Sequence, residues 1–169
     1  MIKTDDMKRI VLVRHAKAVP YGYEDDFNRD LTDRGERDAG KVSAHVKAQG
    51  VKPDLMVSSP ANRAWQTAMI FAGNLGYPEK EVVSVRQLYM DFTTGEFIDY
   101  VQRLPDEAST VFVFGHNPAI SYYTERLAKN FYGDMPTCST VGIDFEADSW
   151  KEIEGRSGSV AFHYVPKGL

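Results

Sequence analysis

The sequence predicts an α/β protein in which helices cover both faces of one mixed sheet. Three observations predict it. Ile10–Val13 and Val111–Phe114 are short, continuous apolar runs, the mark of strands buried on both faces. Longer stretches between such runs carry apolar residues at helical spacing. The last two apolar segments, Thr140–Phe145 and Val160–Val165, alternate more and read as two further strands.

The elements follow in chain order. After the first strand, Lys17 to Leu31 is polar, rich in Asp, Tyr, Gly and Pro, and long for a structureless loop, which points to function. A helix starts near Thr32 or Asp33, because Asp33 and Glu36 have a capping-box spacing. Ala39, Val42 and Val46 share its inner face, and Gly50 stops it. Leu55–Val57 is a short strand. Ser59 and Pro60 read as an N-cap and a first helical residue, opening a helix with Ala64, Ala68, Phe71 and Leu75 inward and Gly76 at its end. Val82–Val85 suggests another strand, and a helix from Thr94 to Arg103 turns Phe97, Val101 and Leu104 inward. Beyond Val111–Phe114, Asn117 reads as a cap and Pro118 as the opening of a helix carrying Ile120, Tyr123, Leu127 and Phe131.

A chain of 169 residues suits a single domain, 1–169, around one core. With 43% hydrophobic and 26% charged residues it is not a disordered chain. Its net charge of −4 argues against nucleic-acid binding, which runs on excess positive charge. Any anion must therefore be handled in one local pocket. The single cysteine, Cys138, excludes an internal disulfide framework and a Cys-rich zinc site, and reads as a small buried hydrophobe. The N-terminal segment reaches Arg14-His15 after four apolar residues, too few for a signal peptide, and no run has the length of a membrane span. A cytoplasmic location is the default expectation.

In open α/β sheets, ligands bind beyond the carboxyl ends of the strands. Two apolar strands here end in Arg14-His15 and Gly115-His116, and a third leads through Ser58-Ser59 into a helix whose first turn carries Arg63. If those strands are parallel neighbours, two histidines and two arginines converge on one rim. Arginine forks match phosphate oxygens and keep their charge, so the cluster points to a phosphoryl group. Nearby positive charge should keep His15 neutral, with a lone pair free to attack phosphorus. No acid-rich cluster accompanies the histidines, so no metal is expected, and no P-loop or dinucleotide fingerprint calls for a cofactor.

At these residues the chain resembles the histidine phosphatase superfamily, and within it the short SixA-type phosphohistidine phosphatases. The matching blocks are Leu12 to Ala18, Arg29 to Gly35, Val57 to Ala64, Gln66 to Ala68 and Phe114 to Pro118, in the family's order and within about residues 9 to 130. Each block alone is weak, whereas the ordered set is specific. The resemblance implies a phosphoglycerate mutase-like fold, a three-layer α/β/α sandwich with a mostly parallel mixed sheet. It implies His15 as nucleophile, Arg14 and Arg63 as phosphate clamps, and His116 as a transition-state contact. Arg29, before the Leu31-Thr32 block, is implied as a substrate-binding residue.

The departures bear on substrate. Ala16 follows the nucleophile where the commonest family motif has glycine, a variant of the SixA-like branch. Larger phosphoglycerate mutase-like members carry a glutamate acid in mid-chain; here Tyr89 falls roughly at that place, with Asp91 a candidate substitute. An alkoxide leaving group gains typically ~10²–10⁴-fold from a positioned acid. Phosphohistidine instead releases an imidazole whose conjugate acid has a pKa near ~6.5, a far better leaving group. The expected substrate is therefore phosphohistidine in a protein, with small phosphate esters as the alternative and a non-catalytic phosphate-binding module as a further one. Taken singly, His116 reads as structural and Arg29, Arg63, Tyr89 and Asp91 as surface residues, and His45 and His163 look incidental. Only the joint pattern selects the site.

Overall fold

A computed structural model describes residues 7–22 and 25–169. Residues 1–6, on which part of the reading of the N-terminus rests, and Tyr23 and Glu24 of the polar loop lie outside the described residues. Among the described residues, ten strands and α-helices follow one another: β1 (Lys8–Arg14), α1 (Asp33–Ala48), β2 (Leu55–Ser58), α2 (Asn62–Leu75), β3 (Val83–Ser84), α3 (Thr94–Gln102), β4 (Thr110–Gly115), α4 (Ala119–Leu127), β5 (Thr140–Phe145) and β6 (Ser159–Tyr164).

The strands form one sheet in the order β3-β2-β4-β1-β5-β6. β3, β2, β4 and β1 are parallel, while β5 runs antiparallel to β1 and to β6. Successive residues of β1 face opposite sides, as the pleat requires. Val11 and Val13 join Ala39, Val42 and Val46 of α1 and Ala68 and Phe71 of α2 in one core. Ile10 and Leu12 join Phe97 and Val101 of α3 and Ile120 and Leu127 of α4 in the other. The result is the expected three-layer α/β/α sandwich. Each fully buried large apolar side chain contributes about 1.5–3 kcal/mol, so the two cores hold the central strands β1 and β4, which are buried nearly throughout. Among the described residues, no helix is long and apolar enough to cross a membrane.

An ion pair that the sequence does not announce fixes the register of β5 on β1. Arg9 faces Asp144 across the ladder, and both Nε and Nη2 donate to its carboxylate. The Arg9 guanidinium also lies over the Phe162 ring at 5.5 Å. Gly142 lets Phe162 pack there, because a Cβ at that position would overlap the ring.

Four local expectations need correction. Thr32, not Asp33, caps α1, its hydroxyl accepting from the Gly35 N–H at 3.0 Å. Ser59 and Pro60 do not open α2, which starts at Asn62 with Ala61 at the N-cap. α4 begins at Ala119 after a cis Asn117–Pro118 bond, so Asn117 is not its cap. Phe131 is buried but lies beyond the end of α4 at Leu127. Ser59 and Asn117 each keep a local hydrogen bond, with the Ala61 N–H and the Ser121 hydroxyl, and also reach groups distant in sequence, so neither acts as a helix N-cap.

Candidate active site

Register places the site. Arg14 at the end of β1 pairs with Gly115 at the end of β4, and Ser58 at the end of β2 pairs with Phe114. The chain continues past all three ends at one level: the His15 N–H donates to the Gly115 carbonyl and the Ser59 N–H to the Phe114 carbonyl, both at 3.0 Å. His15 and His116 therefore leave neighbouring strands side by side, with ring centroids 5.3 Å apart. Arg63 comes from the first turn of α2, which packs on the same sheet end, and is only 5% exposed.

His15 is 8% exposed, and its Nδ1 lies 2.7 Å from the carbonyl oxygen of Ala16. A carbonyl only accepts, so Nδ1 carries the ring proton and Nε2 keeps the lone pair. The imidazole is pushed down to about 3. Burial is the largest cause, the charges of Arg63, Arg14 and Arg29 act the same way, and the Ala16 carbonyl works against them. The sequence suggested positive charge as the reason for a neutral His15, but desolvation leads. Burial likewise leads in pushing His116 down to about 3, with the charges of His15 and Arg63 adding to it.

Arg63 approaches the loop between β1 and α1, donating from Nη1 to the Asp26 carbonyl at 2.7 Å and from Nη2 to its carboxylate at 3.1 Å. Arg29 grips the same carboxylate through Nε and Nη2 and donates to the Val19 carbonyl from Nη1. The Tyr89 hydroxyl donates to Asp26 at 2.9 Å, and its ring meets His116 edge-on at 5.7 Å. Partial burial works against charge on Asp26, yet the hydrogen bonds of Tyr89 and Arg63 and the charge of Arg63 hold its carboxyl below the usual range. Arg14 donates from Nη1 to the Met135 carbonyl at 2.9 Å. Among the described residues, three buried side-chain atoms have no hydrogen-bond partner: Arg14 Nε, Arg63 Nε and His116 Nδ1. All three belong to this cluster, and buried donors without partners mark where an anion is received.

The loop is tied down as it crosses α2. The Leu31 N–H donates to the Gln66 side chain at 2.9 Å, and Gln66 in turn donates to Asp30 at 2.8 Å. The Thr67 hydroxyl accepts from the Ala16 N–H at 3.0 Å, holding the residue after the candidate nucleophile.

All five residues singled out in the sequence, Arg14, His15, Arg29, Arg63 and His116, thus gather at one end of the sheet. Tyr89, not Asp91, packs against His116. Asp91 sits at φ +66° in a groove with Phe92, Pro118 and Tyr123, where its charge helps burial push the Tyr123 phenol up. Sequence reasoning missed Asp26 and Ser59. The acids of the Lys17–Leu31 loop gave no local sign of which one turns inward. Arg14-His15 and Gly115-His116 on neighbouring strand ends and Arg63 on α2 bring two imidazoles and two guanidinium groups together, an arrangement that can receive a tetrahedral anion.

Residues 10–96, about half of the chain, match the model of the histidine phosphatase superfamily (branch 1). An uncharacterized protein of Mycobacterium tuberculosis is 30% identical over 167 residues, covering 92% of this chain and all of that protein. The chain belongs to the histidine phosphatase superfamily, a membership that supports phosphatase activity. Its fold is that of the protein histidine phosphatase SixA complexed with tungstate, with a TM-score of 0.80 and 22% identity over 94% of this chain and 97% of that one. A mycobacterial glucosyl-3-phosphoglycerate phosphatase is also similar, with a TM-score of 0.61 and 15% identity over 91% of this chain and 98% of that one.

Proposed function

We propose that this chain is a phosphohistidine phosphatase that works through a covalent phosphohistidine on His15. The observation that carries this reading is the short contact from His15 Nδ1 to the Ala16 carbonyl, which leaves Nε2 as a buried, unprotonated nucleophile beside Arg63. Nε2 attacks phosphorus in line, the bond from phosphorus to the leaving nitrogen breaks, and its electron pair departs with the substrate ring, which carries a proton on its other nitrogen and so leaves as neutral imidazole. Arg14, Arg63, His116 and Arg29 receive the phosphoryl oxygens, where charge is spread in the transition state. Water then attacks phosphorus, the bond to Nε2 breaks, and inorganic phosphate leaves.

The choice of phosphohistidine over an ester is supported by Asp26. The carboxylate among the clamp residues is held ionised by Arg63, Arg29 and Tyr89 and so has no proton to give an alkoxide. A phosphohistidine ring protonated on its other nitrogen leaves as neutral imidazole and needs no proton from the site. The fold likeness to a protein histidine phosphatase agrees with this choice, and the likeness to glucosyl-3-phosphoglycerate phosphatase is what favours the alternative of small phosphate esters.

The test compares phosphohistidine proteins, a small phosphoramidate and phosphate esters on the purified protein. Phosphohistidine should be dephosphorylated fastest, with an acid-labile phosphoryl group trapped on the wild type and absent from His15→Ala, which should lose essentially all turnover. Undiminished turnover in His15→Ala would sink the mechanism. A steady-state preference for esters would replace the substrate. Anion binding without turnover on any donor would reduce the chain to a binding module.

A further inference from the structure

His116 offers a second deduction from hydrogen-bond accounting. Its Nε2 lies 2.8 Å from the Ser59 hydroxyl oxygen, and both side chains are buried. That oxygen also accepts from the Ala61 N–H at 3.2 Å. Among the described residues, Ser59 Oγ has no other hydrogen-bond partner than these two. An amide N–H cannot accept, so the hydroxyl hydrogen has one place to go, the lone pair of His116 Nε2. The reverse arrangement, with Nε2–H donating to Ser59, would leave two groups unsatisfied, the hydroxyl hydrogen and the lone pair of Nδ1, where the first arrangement leaves only Nδ1–H without a partner.

If Nε2 accepts, a neutral imidazole must carry its proton on Nδ1. Nδ1 is one of the three buried, unpartnered polar atoms of the cluster, alongside Arg14 Nε and Arg63 Nε. We propose that Ser59 is a positioning residue: its hydroxyl fixes His116 as the Nδ1–H tautomer and so aims a neutral hydrogen-bond donor at the phosphoryl group. The low affinity of His116 for a second proton keeps this tautomer the working form at neutral pH. A neutral donor has a specific value here. It adds to the arginines without a further charge that would weaken the lone pair of His15, whose ring centroid lies 5.3 Å from that of His116.

The same element that delivers the hydroxyl explains why Ser59 does not open α2. Ser59 follows β2 directly, and the register of β2 on β4 sets it beside Gly115, one residue before His116. Its side chain is thus aimed across the sheet end before α2 begins at Asn62.

The catalytic consequence rests on the phosphatase reading above, but the tautomer itself is measurable without substrate. In protein labelled with ¹⁵N-histidine, two-bond ¹H–¹⁵N correlation at neutral pH should show His116 with a protonated Nδ1 and a bare Nε2. Ser59→Ala should shift that signal toward a mixture or toward Nε2–H. It should also lower kcat on a small phosphoramidate by about 10- to 100-fold, less than the ~10²–10³-fold of deleting a transition-state donor outright because the imidazole remains, with little change in KM. Ser59→Thr, which restores a hydroxyl, should recover both the spectrum and most of the turnover. An Nε2–H tautomer in the wild type would overturn the proposal, whether or not the variants fold. So would a Ser59→Ala protein unchanged in both spectrum and kcat. A wild type with the Nδ1–H signal but no turnover on any phospho-donor would instead defeat the phosphatase reading alone.

Discussion

Arg63 holds Asp26 by two bonds at once, Nη1 to the backbone carbonyl at 2.7 Å and Nη2 to the carboxylate at 3.1 Å. The carboxylate thus occupies donors that a phosphoryl group also seeks, and it shares them with Arg29. Asp26 both orders the arginines and competes for them. Its side chain is 32% exposed, so the competition is partly screened. Asp26→Asn should bind inorganic phosphate about 3- to 10-fold more tightly in product inhibition. It should also lower kcat by roughly 10-fold, because Arg63, Arg29 and Tyr89 lose their common anchor. Weaker phosphate binding in the variant would show that Asp26 supports the anion site without opposing it.

The two site histidines couple stability to acid. Each titrates near 3 in the folded protein, against about 6.5 in an unfolded chain. Between those values the unfolded chain binds more protons than the folded one, so stability rises with pH through this window. It is fully present above about pH 6.5 and drains away as pH falls toward 3. Urea unfolding at several pH values between 6 and 4.5 should give a steeper decline for the wild type than for His116→Gln. The difference should be about one proton, or ~1.4 kcal/mol per pH unit. Equal slopes would mean that His116 is not held neutral by burial.

The chemistry at the strand ends was legible because buried strands are written in apolar residues, and Arg14-His15 and Gly115-His116 interrupt that writing where the sheet stops. The helical faces of α1, α2 and α3 were legible for the same reason, their inward residues falling at helical period. Asp26 was not, since Asp25, Asp26 and Asp30 share one polar loop, and only its closure over α2 decides which of them meets Arg63. Ser59 and Asn117 were misread as caps because Ser-Pro and Asn-Pro carry a strong local signal. Tertiary partners claimed both side chains: His116 for Ser59, and Asp134 and the Met135 carbonyl for Asn117. Arg9–Asp144 was invisible because antiparallel register joins residues 135 positions apart.

Gly35 links the fold to the site. A Cβ on it would fall inside contact distance of the Lys17 carbonyl, the backbone that also receives the Thr32 N–H at 2.9 Å and closes the base of the Asp26 loop. Backbone cannot swing aside as a long side chain can. Gly35→Ala should cost about 1–3 kcal/mol and lower Tm by roughly 4–10 °C, with turnover falling as Arg29 shifts. Gly40, in the same helix, has open space around its missing Cβ. Gly40→Ala should be neutral or stabilising by up to ~1 kcal/mol. Thermal unfolding of the pair separates close approach from helix propensity, and equal effects would discard the role given to Gly35.

Tyr89 and Asp91 give the sharpest test of how the leaving group departs. An acid that protonates an ester oxygen must reach it, and its removal costs ester hydrolysis about 10²–10⁴-fold while sparing a phosphoramidate. Asp91 lies in the groove with Pro118 and Tyr123, whereas Tyr89 touches both His116 and Asp26. Asp91→Asn should therefore leave hydrolysis of both donors within about 2-fold, inside the range of an ordinary surface change. Tyr89→Phe keeps the ring against His116 but deletes a hydrogen bond to a charged acceptor, worth about 1.5–3 kcal/mol at most. It should lower turnover of both donors alike, by roughly 10-fold, since ordering of Asp26 serves phosphoryl binding whatever group leaves. A loss confined to the ester in Asp91→Asn would identify that carboxyl as the missing acid and move the preferred substrate to phosphate esters.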